Sequence, residues 1–339
     1  MRMTRLKGFP TGTEEPGNDE ILKTVPVSRD RVARRGSLIA DGEQQITRCG
    51  NTMDPSDGEH IIEAIGRCRV VIRNGVVVDV SEPVISDCPL AKRFAYPVPA
   101  ITREAVKANI ENRIRSFGMC TARREVIDHR EFVGFGASEL ISFGIHAGLL
   151  DAAVLACDGA GTVIANTPEL VQGIGGRISG IVKTSPIPAV MDRIEEHGGI
   201  ILDRATGRLD QVDGTRRAVD RHYKKIAVTV ADPETAERIR SSFPAALIFA
   251  VHVTALSRDD AQRLVDVSDL VTACASRPIR EIAGGRALVQ AGTAVPVFAM
   301  TPAGKQLIVG KMAETNDPFL VKTTRLPVLD QAQQPDPLV

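Results

Sequence analysis

Hydrophobic and polar positions alternate along this chain in short stretches, with apolar runs of up to seven residues separated by amphipathic segments that open on hydroxyl or acidic residues. The sharpest local signal is Arg69 to Val80, where Asn74-Gly75 sits between two β-branched runs and supplies the positive φ angles of a tight hairpin turn. Before it, Asp57 to Arg67 reads as a short helix, and after it Thr102 caps a helix to Ser116. Glu131 to Phe135 reads as a strand, Ala137 to Gly148 as a helix and Ala152 to Cys157 as a second strand. Thr167-Pro168-Glu169 and Ser185-Pro186 each place a hydroxyl before a proline, so each opens a helix, the second ending at Gly198-Gly199. A loop or small hairpin over Asp203 to Gly214 then separates two halves. Strands at Lys225 to Val230, Leu247 to Val253 and Leu270 to Ala273 follow, divided by helices opening at Asp232-Pro233 and Ser257. Short strands near Ala287 and over Val295 to Ala299 complete the pattern.

This alternation predicts an α/β protein with two wound, mainly parallel α/β halves and an N-terminal β-hairpin. The expected divisions are a peripheral or disordered arm over 1–56, a hairpin and helix region over 57–130, a glycine-rich α/β domain over 131–214, a C-terminal α/β domain over 215–315 and an extended tail over 316–339. Ligands of such sheets sit at the carboxyl ends of the strands.

Composition narrows the function. Forty-two basic residues balance 42 acidic ones, so no global field draws nucleic acid or an anionic membrane, and any anion site is local. Aromatic residues make up 4% of the chain with no Trp, which argues against base-stacking platforms. The polar start of the chain has no apolar signal core, and the longest apolar run, Ala245 to Val251, is too short to span a bilayer. A cytoplasmic protein without nucleic-acid or membrane partners is expected, with a homo-oligomer left open.

Twelve of the 29 glycines fall between Phe132 and Ile201, and three loops account for most of them. The first, Gly134 to Ser138, offers free N–H groups at a helix start to a phosphate or carboxylate through Gly136 and Ser138; tight packing explains the same glycines. On the helix it opens, Glu139, Ser142 and His146 share one side, either an acid paired with an imidazole for proton transfer or an ordinary solvated face. The second loop, Cys157-Asp158-Gly159-Ala160-Gly161-Thr162, leaves an apolar strand, where Asp158 can hold a metal or ribose and Cys157 can act as nucleophile or ligand; the alternative is a structural turn with a packed thiol. The third, Gly173 to Gly180, combines Gly175, Gly176 and Arg177 with nearby Lys183 as an anion cradle. It lacks the spacing of a Walker A motif.

In the C-terminal sheet His252, Thr254, Cys274 and Ser276 end strands and Arg277 and Arg280 follow them; Cys274, near a helix start, is either a thiolate of lowered pKa or a packed thiol. Cys68, Cys88 and Cys120 flank the hairpin region, and the Cys88-Pro89 step is of the kind that follows iron–sulfur ligands. Three thiolates can hold a cluster; unrelated buried cysteines fit the wide spacing as well.

Seven blocks carry a family resemblance: Cys68 to Gly75, Phe117 to Thr121, Phe132 to Glu139, Cys157 to Thr162, Val171 to Arg177, Thr272 to Ser276 and Gln290 to Thr293. Together they resemble the methanogenesis marker protein 8 family over roughly His60 to Gly310. The distribution of that family implies a factor that assembles or delivers a metal cofactor for a metalloenzyme partner in anaerobic one-carbon metabolism, with Cys68, Cys88 and Cys120 as ligands. Locally, Gly136 to Gly180 is similar to the flavin-binding beta subunits of coenzyme F420-reducing hydrogenases and formate dehydrogenases. That likeness implies a flavin or deazaflavin, with phosphate contacts at Gly136, Ser138, Thr167, Gly176 and Arg177. The readings left open are a redox or group-transfer enzyme with an anionic, flavin-like cofactor, an iron–sulfur or metal-cofactor delivery factor, and a non-catalytic small-molecule sensor.

Overall fold

The computed structural model of the chain describes residues 58–177 and 180–339, so the arm assigned to 1–56 lies outside the described residues. The hairpin forms where Asn74-Gly75 predicts it. Strands β1 (Glu59–Glu63), β2 (Arg69–Arg73) and β3 (Val76–Val80) are joined by β6 (Gly180–Lys183) in a four-stranded antiparallel sheet of order β3-β2-β1-β6, and Asn74 and Gly75 carry φ angles of 51° and 74°. Helix α1 (Arg103–Phe117), capped by Thr102, packs Val106, Ile110 and Ile114 into one core with Ile62, Val70 and Ile72 of the sheet.

The helix expected over Asp57 to Arg67 is therefore a correction. Its residues alternate between half-buried and buried positions as β1, followed by a single 3-10 turn at Ile65–Arg67. Pairing on both sides, with β2 and with β6 from far along the chain, overrides the local preference.

The larger sheet has eight strands in the order β11-β12-β10-β9-β8-β4-β5-β7. Its centre is parallel: β4 (Ala152–Cys157), β8 (Ile226–Val230), β9 (Leu247–Ala250) and β10 (Leu270–Thr272). Antiparallel strands flank it, β12 (Val297–Ala299) and β11 (Val289–Ala291) on one side, β5 (Gly161–Ala165) and β7 (Ile200–Ile201) on the other. The pairing of β4 with β8 joins the two α/β segments in one sheet.

Strand β4 shows why its sequence is continuously apolar: Ala153, Leu155 and Cys157 face one core while Ala152 and Val154 face another. The first core takes residues from α2 (Ala137–His146), α3 (Pro168–Gly175), α4 (Pro188–Glu196) and α9 (Pro302–Glu314). The second takes residues from α5 (Gln211–Asp220), α6 (Pro233–Ser242), α7 (Arg258–Val267) and α8 (Arg277–Arg286). Among the described residues no helix is long and apolar enough to cross a membrane.

Four further local expectations change. Glu131 to Phe135 is irregular chain leading into α2, not a strand. The Cys157 to Thr162 loop is the turn of a β4–β5 hairpin, with Cys157 paired opposite Gly161. Ser185-Pro186 opens no helix, because Ser185 Oγ donates to the Glu59 carbonyl at 2.9 Å and α4 begins at Pro188. Helix α5 runs through what reads as a loop, since Gly214 lies so close to the sheet that a Cβ there would sit 2.7 Å from Val154 Cγ1. The tail is extended but stitched down: Asp336 O accepts from the backbone N–H groups of Ser86 and Asp87, and Val339 N–H donates to Ala275 O at 3.1 Å.

Candidate functional site

A cavity of about 690 Å³ opens at the carboxyl edge of the parallel strands. Leu155 and Ala156 of β4, Thr229 and Val230 of β8, Val251 and His252 after β9, and Thr272 and Cys274 at the end of β10 form its floor. The chain leaving β4 turns to β5 on one side, while β8 continues through α6 to β9 on the other. Connections that diverge in this way leave a crevice between the two strands, the usual ligand position in a wound sheet. Gln211, at the start of α5, spans it, donating to Val154 O at 3.3 Å and Thr229 O at 2.9 Å. The walls come from Ser138 and Glu139 of α2, from Gly175 and Gly176 at the end of α3, and from Gly180 to Val182 and Glu63 of the small sheet.

The acids on these walls are largely engaged. Glu139 Oε1 accepts from Phe132 N and Gln172 Nε2, both at 3.1 Å, and Asp210 and Asp232 cap α5 and α6. Burial pushes the Glu63 carboxyl above its ordinary value, opposed by Arg67 at 3.6 Å. Arg67 also donates to Ala255 O at 2.8 Å, tying the small sheet to the β9–α7 loop. By contrast, the Arg238 guanidinium on α6 makes no hydrogen bond or ion pair with a described residue, so its charge is available to a ligand.

His252 is the second unengaged group. Its φ of 57° is left-handed, as is the 56° of Ala255 three residues on, so the chain turns abruptly off β9 and presents the imidazole to the cavity. Burial pushes the imidazole down to about 4, so it is neutral at physiological pH, and its side chain has no hydrogen-bond partner among the described residues. Cys274 lies at the end of the neighbouring strand. Its thiol is pushed up to about 11, by burial first and then by Cys88, so the lowered-pKa expectation is reversed.

Of the residues singled out from sequence, Ser138, Glu139, Gly175, Gly176, His252, Thr254 and Cys274 line this cavity. Gly136 is the N-cap residue of α2, just outside the lining. The others serve elsewhere. Asp158 is buried with Arg124, Nε to Oδ1 at 2.9 Å, and its Oδ2 accepts from Cys120 N at 2.6 Å. Burial pushes the Asp158 carboxyl up, but Arg124 and the Cys120 N–H outweigh it and hold the carboxyl below its ordinary value. Cys157 is fully buried and its thiol pushed far up by burial. Gly159 N donates to Thr184 Oγ1, Gly161 holds the hairpin turn, Thr162 bonds Gln211 and Thr167 caps α3. Arg177 pairs with Asp128 and Glu125, and Lys183 with Glu59, so both cations of the supposed cradle are neutralised. His146 lies on a separate small pocket, 3.6 Å from Glu314, and does not meet Glu139. That helix side is not solvated throughout, since Glu139 and Ser142 are buried.

A family model described as "Uncharacterized protein conserved in archaea (DUF2099)" matches residues 60–313. The chain belongs to the DUF2099 family. It is also similar to an uncharacterized protein of Methanocaldococcus jannaschii, 42% identical over 283 residues, covering 83% of this chain and 99% of that protein. The DUF2099 span takes in every residue that lines the cavity, from Glu63 to Cys274.

Among the described residues of this DUF2099 protein, no group of three or more His, Cys, Asp or Glu side chains is disposed to hold an ion. Cys68 and Cys120 are sealed in the core beneath the small sheet, and Cys88 packs against it. All three thiols are pushed up by burial, the opposite of what a thiolate ligand set requires. The groups that sequence reasoning undervalued are His252, Arg238, Arg67 and Glu63. His252 alone carried a signal, as a polar residue ending an apolar strand.

Proposed function

We propose that this protein is an enzyme that holds an anionic, phosphate-bearing small molecule in the cavity at the carboxyl edge of its parallel strands. One observation carries the reading: the wall of a 690 Å³ cavity at that edge bears Arg238, whose guanidinium has no partner among the described residues. The volume falls within the range of about 300–1,000 Å³ common for cofactor and substrate pockets. Redox or group transfer with a flavin-like ligand is the finer expectation, and it draws support from Ser138 and Gly176, which belong to the flavin-like stretch and line the cavity. Arg177 and Thr167 lend it none. The methanogenesis marker protein 8 likeness, a cytoplasmic location and the absence of nucleic-acid and membrane partners remain part of the same reading.

The test is binding. Anaerobically purified protein is inspected for flavin absorption and titrated calorimetrically with flavin mononucleotide and with inorganic pyrophosphate. Saturable binding of either, weakened at least about tenfold in Arg238→Ala, agrees with the proposal. A colourless protein that binds neither, or binding that Arg238→Ala leaves untouched, overturns it.

A further inference from the structure

The geometry points to His252 as the group that accepts and returns a proton in the cavity, acting on an anionic ligand with an acidic C–H beside a carbonyl. This rests on the anion-binding reading above and adds the chemistry.

Three independent features of His252 converge. The first is backbone: a left-handed φ on a non-glycine residue costs about 1–2 kcal/mol, and here it turns the side chain off the end of β9 into the cavity rather than back into the sheet. The second is availability. His60 is tied to Thr184 at 2.7 Å and His146 pairs with Glu314, but the ring of His252 has no hydrogen-bond partner among the described residues, so a nitrogen lone pair is left for a ligand. Of the six histidines, it alone lines the larger cavity. The third is protonation: half-buried at the cavity wall and neutral above about pH 4, the imidazole has the free lone pair a general base needs.

The ionisable groups sharing the cavity are Glu63 and Arg67 from the small-sheet side, Glu139 from α2, Cys274 from the end of β10, and Asp210, Asp232 and Arg238 at α5 and α6. Glu139 and the two aspartates are committed to their own hydrogen bonds, and Cys274 stays a thiol until about pH 11. Glu63 is the remaining carboxylate, held against Arg67. His252 is thus the one unengaged base among the described cavity residues, with Arg238 as the unengaged cation. Together they suit a ligand anionic at one end that gives up a proton at the other, as a carbon acid does. In the step itself, a ring nitrogen takes the C–H proton while the bonding pair passes into the carbonyl as an enolate. The imidazolium exchanges its proton with solvent and then returns one to carbon, so nothing is oxidised and no co-reactant is consumed.

The experiment reads this without knowledge of the natural substrate. Full-length protein in D2O is incubated with dihydroxyacetone phosphate, pyruvate and 2-oxoglutarate, and loss of each C–H proton signal is followed by NMR, with binding measured in parallel by saturation transfer. The expected result is exchange on at least one bound compound, reduced about 100-fold or more in His252→Asn with binding retained, and falling as pH drops through about 4. Asparagine is chosen because it tolerates left-handed φ. Should that variant fold poorly, carbethoxylation of the native protein with diethyl pyrocarbonate replaces it, and exchange must fall in step with modification of residue 252. Binding without exchange, or exchange indifferent to both treatments, overturns this proposal alone. Failure of every compound to bind overturns this proposal, and calorimetry with pyrophosphate then shows whether the anion-binding reading falls with it.

Discussion

Arg124 and Asp158 form an ion pair sealed from solvent, Nε to Oδ1 at 2.9 Å, with both side chains at most 1% exposed. Its surroundings leave no room for a ligand: Arg124 also donates to the carbonyls of Glu125, Gly173 and Ile174, and stacks over Phe117 at 5.0 Å. The pair joins the β4–β5 turn to the chain after α1 and to the end of α3.

Breaking the pair should therefore destabilise the protein rather than silence a site. Asp158→Asn leaves a buried guanidinium without its counter-charge, and a loss of about 3–5 kcal/mol is expected by urea denaturation. Because the folded carboxyl is held below its ordinary value, its contribution is fully present above about pH 4 and is lost as pH falls below that. Acid unfolding that begins no earlier in Asp158→Asn than in the native protein would contradict this.

Gly161 is a second residue whose role is architectural. At a φ of 75°, an added Cβ would meet the Gly207 carbonyl oxygen at 2.2 Å, so both the turn and the neighbouring chain oppose a side chain. Gly161→Ala should cost at least about 2 kcal/mol in chemical denaturation, combining left-handed strain with the clash. A midpoint unchanged from the native protein would show that the hairpin can move away.

These two cases show what the sequence could and could not disclose. Where structure follows from neighbours in sequence it was legible: Asn74-Gly75 turns the hairpin, and Thr167-Pro168 and Asp232-Pro233 start helices. Where a glycine answers to a distant backbone, as Gly161 does to Gly207, it imitates a ligand loop. β1 was misread because its second partner, β6, lies far along the chain, and α5 because Gly214 is small to admit Val154. The site divides in the same way. Ser138, Gly175 and Gly176 were found through glycine density, and Glu139 and Cys274 through local pattern, whereas Arg238 sits on an ordinary amphipathic helix and meets the others only through the sheet order β10-β9-β8-β4.

Cysteine reactivity offers a direct check on the cavity. Cys68, Cys120 and Cys157 are buried, while Cys274 is partly exposed within the cavity. Prolonged alkylation of native protein with iodoacetamide at mildly alkaline pH, followed by peptide mapping, should mark Cys274 and spare those three. With its thiol pushed up to about 11, Cys274 carries only about one part in a thousand of thiolate at pH 8, so its labelling should be slow and rise about tenfold per pH unit toward 11. Fast labelling at pH 7 would mean a thiolate stabilised by something the fold does not display.

The two arginines Arg177 and Arg238 separate architecture from binding most cleanly. Arg177 Nε lies 2.7 Å from Asp128 Oδ2 and Nη1 2.8 Å from Glu125 Oε2, with the guanidinium 5.2 Å from the Phe117 ring. Burial raises the Asp128 carboxyl, but hydrogen bonds from Arg130 and Arg177 outweigh it and bring it to about 2. Arg177→Ala should accordingly cost about 1–3 kcal/mol of stability at neutral pH. It should also narrow the acid window, because the contribution of Asp128 is present above about pH 4 and is lost as pH falls toward 2. Anion affinity should not change. Arg238→Ala should do the opposite, holding stability within about 0.5 kcal/mol while weakening pyrophosphate at least about tenfold. Paired urea and calorimetric titrations of the two variants decide the matter, and loss of affinity in Arg177→Ala with none in Arg238→Ala would move the anion site back to the glycine loops.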